Sequence, residues 1–177
     1  ENELNEKFGL AIQRLEEVTG KPLAINGCAK NRAKEIKKIS PNSVSPSEDL
    51  LFLITTFPAM IVYYEEGVIF TYAKIDNELW GMPLDGVLHE LMHFQTNYYR
   101  ENPNSEISTL SEDEYYILKE SLTALLDEPW KPIMTLPDAS YPEFQALRDK
   151  LREYYYECRD FDKLMEYGAK RSYFLRS

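Results

Sequence analysis

Apolar residues fall at intervals of three and four over the first twenty positions. Leu4, Phe8, Ala11, Leu15 and Val18 line one stripe, which predicts an amphipathic helix over 3–19 that Gly20 ends. A second, more exposed and basic helix is expected over 27–40, followed by a loop punctuated by Pro41 and Pro46. The apolar run that begins near Leu50 reads as a short helix over 48–56, capped by Ser47 and stopped by Pro58. From position 59 the texture changes to β-branched and aromatic residues split by Glu65-Glu66-Gly67. That pattern predicts a β-hairpin with strands near 60–64 and 68–74.

Helical spacing returns after Pro83 and Asp85, which introduce a helix over 86–99. Beyond the polar loop "ENPNSEIST", Ser111 and Glu114 match a capping box that opens a helix over 112–127. Prolines make "EPWKPIMTLPDASYP" an irregular connection. From 142 to 174 one long helix is expected, with Phe144, Leu147, Leu151, Tyr154, Cys158, Phe161 and Leu164 inward and Gly168 as a late break. Taken together, the pattern describes a single domain over 1–177, α+β in class, mostly helical with a small antiparallel sheet.

Composition narrows the function classes. The chain has 177 residues, 44% of them hydrophobic, enough for one core and short for two domains. No apolar run approaches the roughly 20 residues of a membrane span, so no membrane partner is expected. A net charge of −10 argues against nucleic acid, which needs a basic face. Acidity serves solubility first; a preference for cationic substrates is the alternative. Cys28 and Cys158 are distant in sequence and read as two free thiols rather than a disulfide or a metal pair. The sparse cysteines and the lack of a basic-then-apolar leader lean toward a cytoplasmic location. Oligomeric state leaves no signature.

The chemistry is concentrated in "LDGVLHELMHFQTNYY", residues 84–99, which holds both histidines of the chain. His89 and His93 lie four apart, so on a helix their side chains share a face. Two histidines scattered over 177 residues fall at this spacing about once in a hundred, and a glutamate after the first makes it roughly one in a thousand. The plain alternative is two ordinary histidines on one helix. Yet Val87, Leu88, Leu91, Met92 and Phe94 make this helix apolar nearly all round, and buried imidazoles need an occupation. Zinc supplies one, since it accepts histidine nitrogen and leaves a position open for chemistry. Glu90 then stands beside the ion as a general base.

A third ligand is needed, and no third histidine exists. Glu120 is the leading candidate because it lies mid-helix among Ile117, Leu118, Leu122, Ala124 and Leu125. Other carboxylates and a cysteine remain open at this point. Glu112 and Glu114, in the first turn of that helix, are better read as capping residues.

"HELMH" followed by "KESLTALL" resembles the gluzincins, zinc metallopeptidases with HExxH on one helix and a glutamate ligand on the next; the likeness extends to small bacterial proteins of that type. It covers 84–128, and more loosely "ASYPEFQALRDKL". The resemblance implies a zincin-like fold with the hairpin beside the HExxH helix, offering an edge along which a peptide substrate lies. It implies His89, His93 and Glu120 as zinc ligands and Glu90 as general base. One departure is that the thermolysin-like pattern has an aspartate four residues after the ligand glutamate, where this chain has Ala124. Thr123, Asp127 and Asp85 are the substitutes for that outer hydrogen-bonding role, although Asp85 serves equally well as a helix cap. The oxyanion donor is usually Tyr or His in the family. Among 13 tyrosines the choice falls on Tyr141, whose plain alternative is a core or interface residue.

Two other readings compete. One is a zincin-fold domain that binds or regulates without cleaving; the other is a deformylase-type hydrolase with a cysteine ligand, for which "NGCAK" around Cys28 is a poor match.

Overall fold

The computed structural model describes residues 2–23, 51–55, 61–63, 68–72, 74–76, 79–81, 84–126 and 141–172, with side chains for 9–23, 86–126 and 141–172. The helix predicted over 27–40, the loop after it, the Gly67 turn and the proline-rich connection fall outside the described residues, as do Cys28 and Asp127.

Helix α1 spans Asn2–Thr19. Ala11 and Leu15 of its stripe are fully buried, and Gly20 ends it in the left-handed region at φ 64°, where its N–H donates to the Glu16 carbonyl. Helix α2, Leu84–Glu101, is the HExxH helix. Arg100 in its last turn fixes the reversal that follows, donating to the Ile107 carbonyl at 3.0 Å, to the Leu110 carbonyl, and to Glu112 at 2.8 Å. A 3-10 turn over Glu106–Thr109 leads into helix α3, Glu112–Leu122. The capping box forms: Ser111 N–H donates to Glu114 Oε2 at 2.8 Å and the Glu114 N–H to Ser111 Oγ at 3.4 Å. The helix expected to reach 127 instead tightens into a 3-10 turn over Thr123–Leu126.

The long C-terminal helix is two. After a 3-10 turn at Pro142–Phe144 come α4, Gln145–Cys158, and α5, Phe161–Ser172. The break falls at Arg159, in the left-handed region at φ 50°, where a non-glycine residue is not expected. Gly168 breaks nothing. It lies inside α5, where a methyl group would stand 2.5 Å from Leu118 Cδ1, so its role is to let α5 approach α3. Cys158 at the end of α4 is a free thiol.

Five short strands lie between α1 and α2 among the described residues. Strand β1, Leu51–Thr55, runs through the segment expected to be helical; a short apolar run without period is ambiguous, and here pairing with a neighbour decides it. It pairs in parallel with β3, Val68–Tyr72, which also pairs antiparallel with β2, Ile61–Tyr63. Strands β4, Lys74–Asp76, and β5, Leu79–Gly81, form a separate pair.

The expected α+β, zincin-like arrangement with an antiparallel hairpin beside the HExxH helix is not supported. Among residues with described side chains about 85% are helical and none belongs to a strand. The elements packed most extensively on α2 are α1, α3 and the two 3-10 turns that flank α3. The reason is the one visible in α2's own sequence: apolar on most faces, it is enclosed by helices through Val87, Leu88, Leu91 and Met92, all fully buried. Leu118 and Leu122 of α3, Leu151 of α4, and Phe161 and Leu164 of α5 complete this core. No helix among the described residues is long and apolar enough to cross a membrane.

Candidate metal centre

The buried faces of two helices bring the site together. On α2 the i,i+4 spacing stacks His89 and His93 with ring centroids 4.3 Å apart and planes at 76°. From α3, Glu120 divides its carboxylate between them. His89 Nε2 lies 3.3 Å from Oε2, and His93 Nε2 lies 3.3 Å from Oε1. The three side chains present one donor atom each, all within 4.8 Å of one another. His93 and Glu120 are 2% and 9% exposed at their side chains, whereas His89 is 21% exposed.

These separations suit an ion. Ligands about 2.0–2.1 Å from a tetrahedral centre stand roughly 3.3 Å from one another; each imidazole lies that far from one carboxylate oxygen, His89 from Oε2 and His93 from Oε1. Two nitrogens and one oxygen also make a donor set that zinc accepts. Cys158, the one described cysteine, does not belong to this group.

The electrostatics favour the protonation states that a metal requires. Burial works against ionisation of Glu120, but hydrogen bonds from His89 and His93 and the nearby Lys119 charge outweigh it, holding the carboxyl well below its ordinary range. Burial is also the main influence on His93 and lowers its pKa; His89 and Lys119 add to this, and the pull of Glu120 does not reverse it. The result is an ionised carboxylate beside a neutral imidazole.

Glu90, the proposed base, follows His89 on α2 and is partly exposed, roughly 100° round the helix from it. Thr123 is fully buried and bonds to Glu120, but through the backbone: its Oγ1 donates to the Glu120 carbonyl at 2.7 Å. Asp85 lies in the first turn of α2 with its side chain outside the described set, and Asp127 is outside it altogether. Tyr141 is 46% exposed and forms a rim of aromatic rings with Phe144 at 5.4 Å and Tyr116 at 6.2 Å. A hydrogen bond with Tyr141, with some burial and the Glu120 charge, pushes Tyr116 up to about 12. Tyr141 thus packs on Tyr116, which lies one helical turn before Glu120.

Two residues were not anticipated. Arg148 of α4 is fully buried; its Nη1 donates to the Glu120 carbonyl at 3.1 Å and to Thr123 Oγ1 at 2.6 Å. It ties the end of α3 to α4 where the backbone changes from α to 3-10. Its position, between Phe144 and Leu151 on the inner stripe, was the available signal. Lys119 places Nζ 3.2 Å from Glu120 Oε1. Being next to the ligand in sequence, it points elsewhere on an ideal helix, and only the bend of its long side chain brings it back.

Compared with known proteins, the chain matches no family, no curated protein and no solved structure.

Proposed function

We propose that this chain is a zinc-dependent metallopeptidase in which His89, His93 and Glu120 hold the ion and Glu90 is the general base. The observation that carries this reading is the meeting of the three donors on α2 and α3, with both imidazole nitrogens 3.3 Å from the Glu120 carboxylate. An HExxH helix supplies the base in the same turn as the ligands. Zinc in such a site contributes Lewis-acid polarisation and a more acidic water.

The protein's own residues do the rest. Glu120 offsets part of the ion's charge and, anchored by Thr123 and Arg148, keeps its place on α3. His93, buried and favoured neutral, hydrogen-bonds Glu120 through Nε2, the nitrogen that would give up its proton to take an ion. Glu90, partly exposed, takes the proton from the attacking water and delivers it to the departing amine.

Elemental analysis of purified protein and a casein-cleavage assay test this together. A single zinc per chain is expected, retained in Glu90→Gln while hydrolysis falls by about 10²–10⁴-fold. Wild-type protein that takes up no zinc from excess metal would defeat the reading. Zinc-loaded wild type without hydrolysis of any peptide would leave a binding module in its place.

A further inference from the structure

Glu120 Oε1 has two claimants, a neutral imidazole and an ammonium. His93 Nε2 reaches it at 3.3 Å and Lys119 Nζ at 3.2 Å. The Lys119 side chain is only 17% exposed, and its ammonium lies 5.6 Å from the centre of the Tyr116 ring, three residues earlier on α3. That contact steers the bend which returns the ammonium to the cradle. A divalent cation held by His89, His93 and Glu120 draws on the same carboxylate and withdraws part of its charge from Lys119. Two positive centres then stand a few ångströms apart in a poorly hydrated place, where like charges repel strongly. An anionic oxygen lying between them relieves that repulsion and satisfies both.

We propose that Lys119 is an anion-binding residue of this site: with a cation in the cradle, its ammonium receives a negatively charged oxygen of the substrate. Two substrate oxygens have that chemistry, a free carboxylate and the carbonyl oxygen that gains charge under attack. The inference rests on the metallopeptidase reading. It also fills a role that no histidine is left to take, while Tyr141 is engaged with Tyr116 in the rim.

The test uses zinc-loaded wild type, Lys119→Met and Lys119→Arg. Zinc affinity comes first, measured by chelator competition. Removing the ammonium removes both a competitor for Oε1 and a repelling charge, so Lys119→Met binds zinc about ten-fold more tightly or better. Calorimetric titration with N-acetyl-leucine and N-acetyl-leucinamide follows. If the substrate oxygen is a carboxylate, wild type prefers the acid, Lys119→Met loses about ten-fold of that preference, and Lys119→Arg keeps it. If it is the attacked carbonyl, that preference is unchanged in Lys119→Met, but kcat on an amidated peptide falls about 10²-fold at constant KM and recovers partly in Lys119→Arg.

Weaker zinc binding in Lys119→Met would make Lys119 a structural prop for Glu120 and overturn the inference. So would an unchanged acid preference together with an unchanged kcat. A wild type without zinc defeats the metallopeptidase reading and this inference with it. A zinc-loaded wild type that cleaves nothing yet shows the Lys119-dependent acid preference defeats only the former.

Discussion

Two carboxylates in this molecule each gather a lysine and at least one further donor, and they do different work. Asp162, in the first turn of α5, accepts from Lys21 and, at 2.6 Å, from the Tyr99 hydroxyl. Glu120 sits with Lys119, His89 and His93. Both carboxyls are held below their ordinary range, Asp162 chiefly by the hydrogen bonds from Lys21 and Tyr99. The difference is water. Lys21 and Asp162 are 38% and 52% exposed, so their attraction is screened and the cluster acts as a tether from α1 through α2 to α5. Glu120 is enclosed, and its other partners carry ring nitrogens that can serve as metal ligands as well as donors. Charge alone marks neither as a site; burial combined with ligand chemistry does.

The largest effect that separates them comes from Glu120→Ala. It removes one of the three donors and the only negative charge among them, so zinc content drops from one per chain to none by elemental analysis. The apo protein is expected to remain folded by far-UV circular dichroism, because the helical core around the site is apolar. Full zinc retention in this variant would move the third ligand elsewhere and reduce Glu120 to a structural partner of two histidines.

Arg148→Met is next. It deletes a buried guanidinium that donates to the Glu120 carbonyl and to Thr123, while a methionine keeps much of the volume. Hydrogen bonds from charged groups contribute about 1.5–3 kcal/mol, and a loss of that order in urea unfolding is expected. Zinc affinity should weaken as well, since the end of α3 loses its anchor to α4. A stability loss with zinc affinity unchanged would separate the scaffold from the cradle and show that Thr123 alone holds Glu120 in place.

How much of this was legible follows from the range of each signal. His89, Glu90 and His93 are a local pattern, complete within one and a half turns. Glu120 was legible because its helix announces its start through Ser111 and Glu114 and is apolar on both sides of the carboxylate. Arg148 was not: a charged residue on an apolar stripe reads as solvent-facing until the carbonyl it bonds is known, and that carbonyl lies 28 residues away. The break at Arg159 was hidden for a similar reason, since a left-handed arginine carries no mark in sequence, whereas Gly168 looked like a break and serves close packing. Strand β1 and the mixed sheet escaped because parallel pairing of 51–55 with 68–72 is a long-range event. The hairpin beside the HExxH helix is not supported: among the described residues α2 packs chiefly on α1, α3 and the 3-10 turns that flank α3.

The smallest effect belongs to Asp162→Asn, and its smallness is the point. The substitution keeps the shape and a hydrogen-bond acceptor for Tyr99 while removing the charge that faces Lys21. For an exposed pair the expected cost is about 0.2–1 kcal/mol, lower still at high salt. Zinc content and zinc affinity should match wild type, because none of the ligand atoms is touched. A measurable loss of zinc from Asp162→Asn would erase the distinction between the two clusters. It would mean that the tether from α1 and α5 sets the position of α2, and that the cradle depends on the whole bundle rather than on the α2–α3 pair.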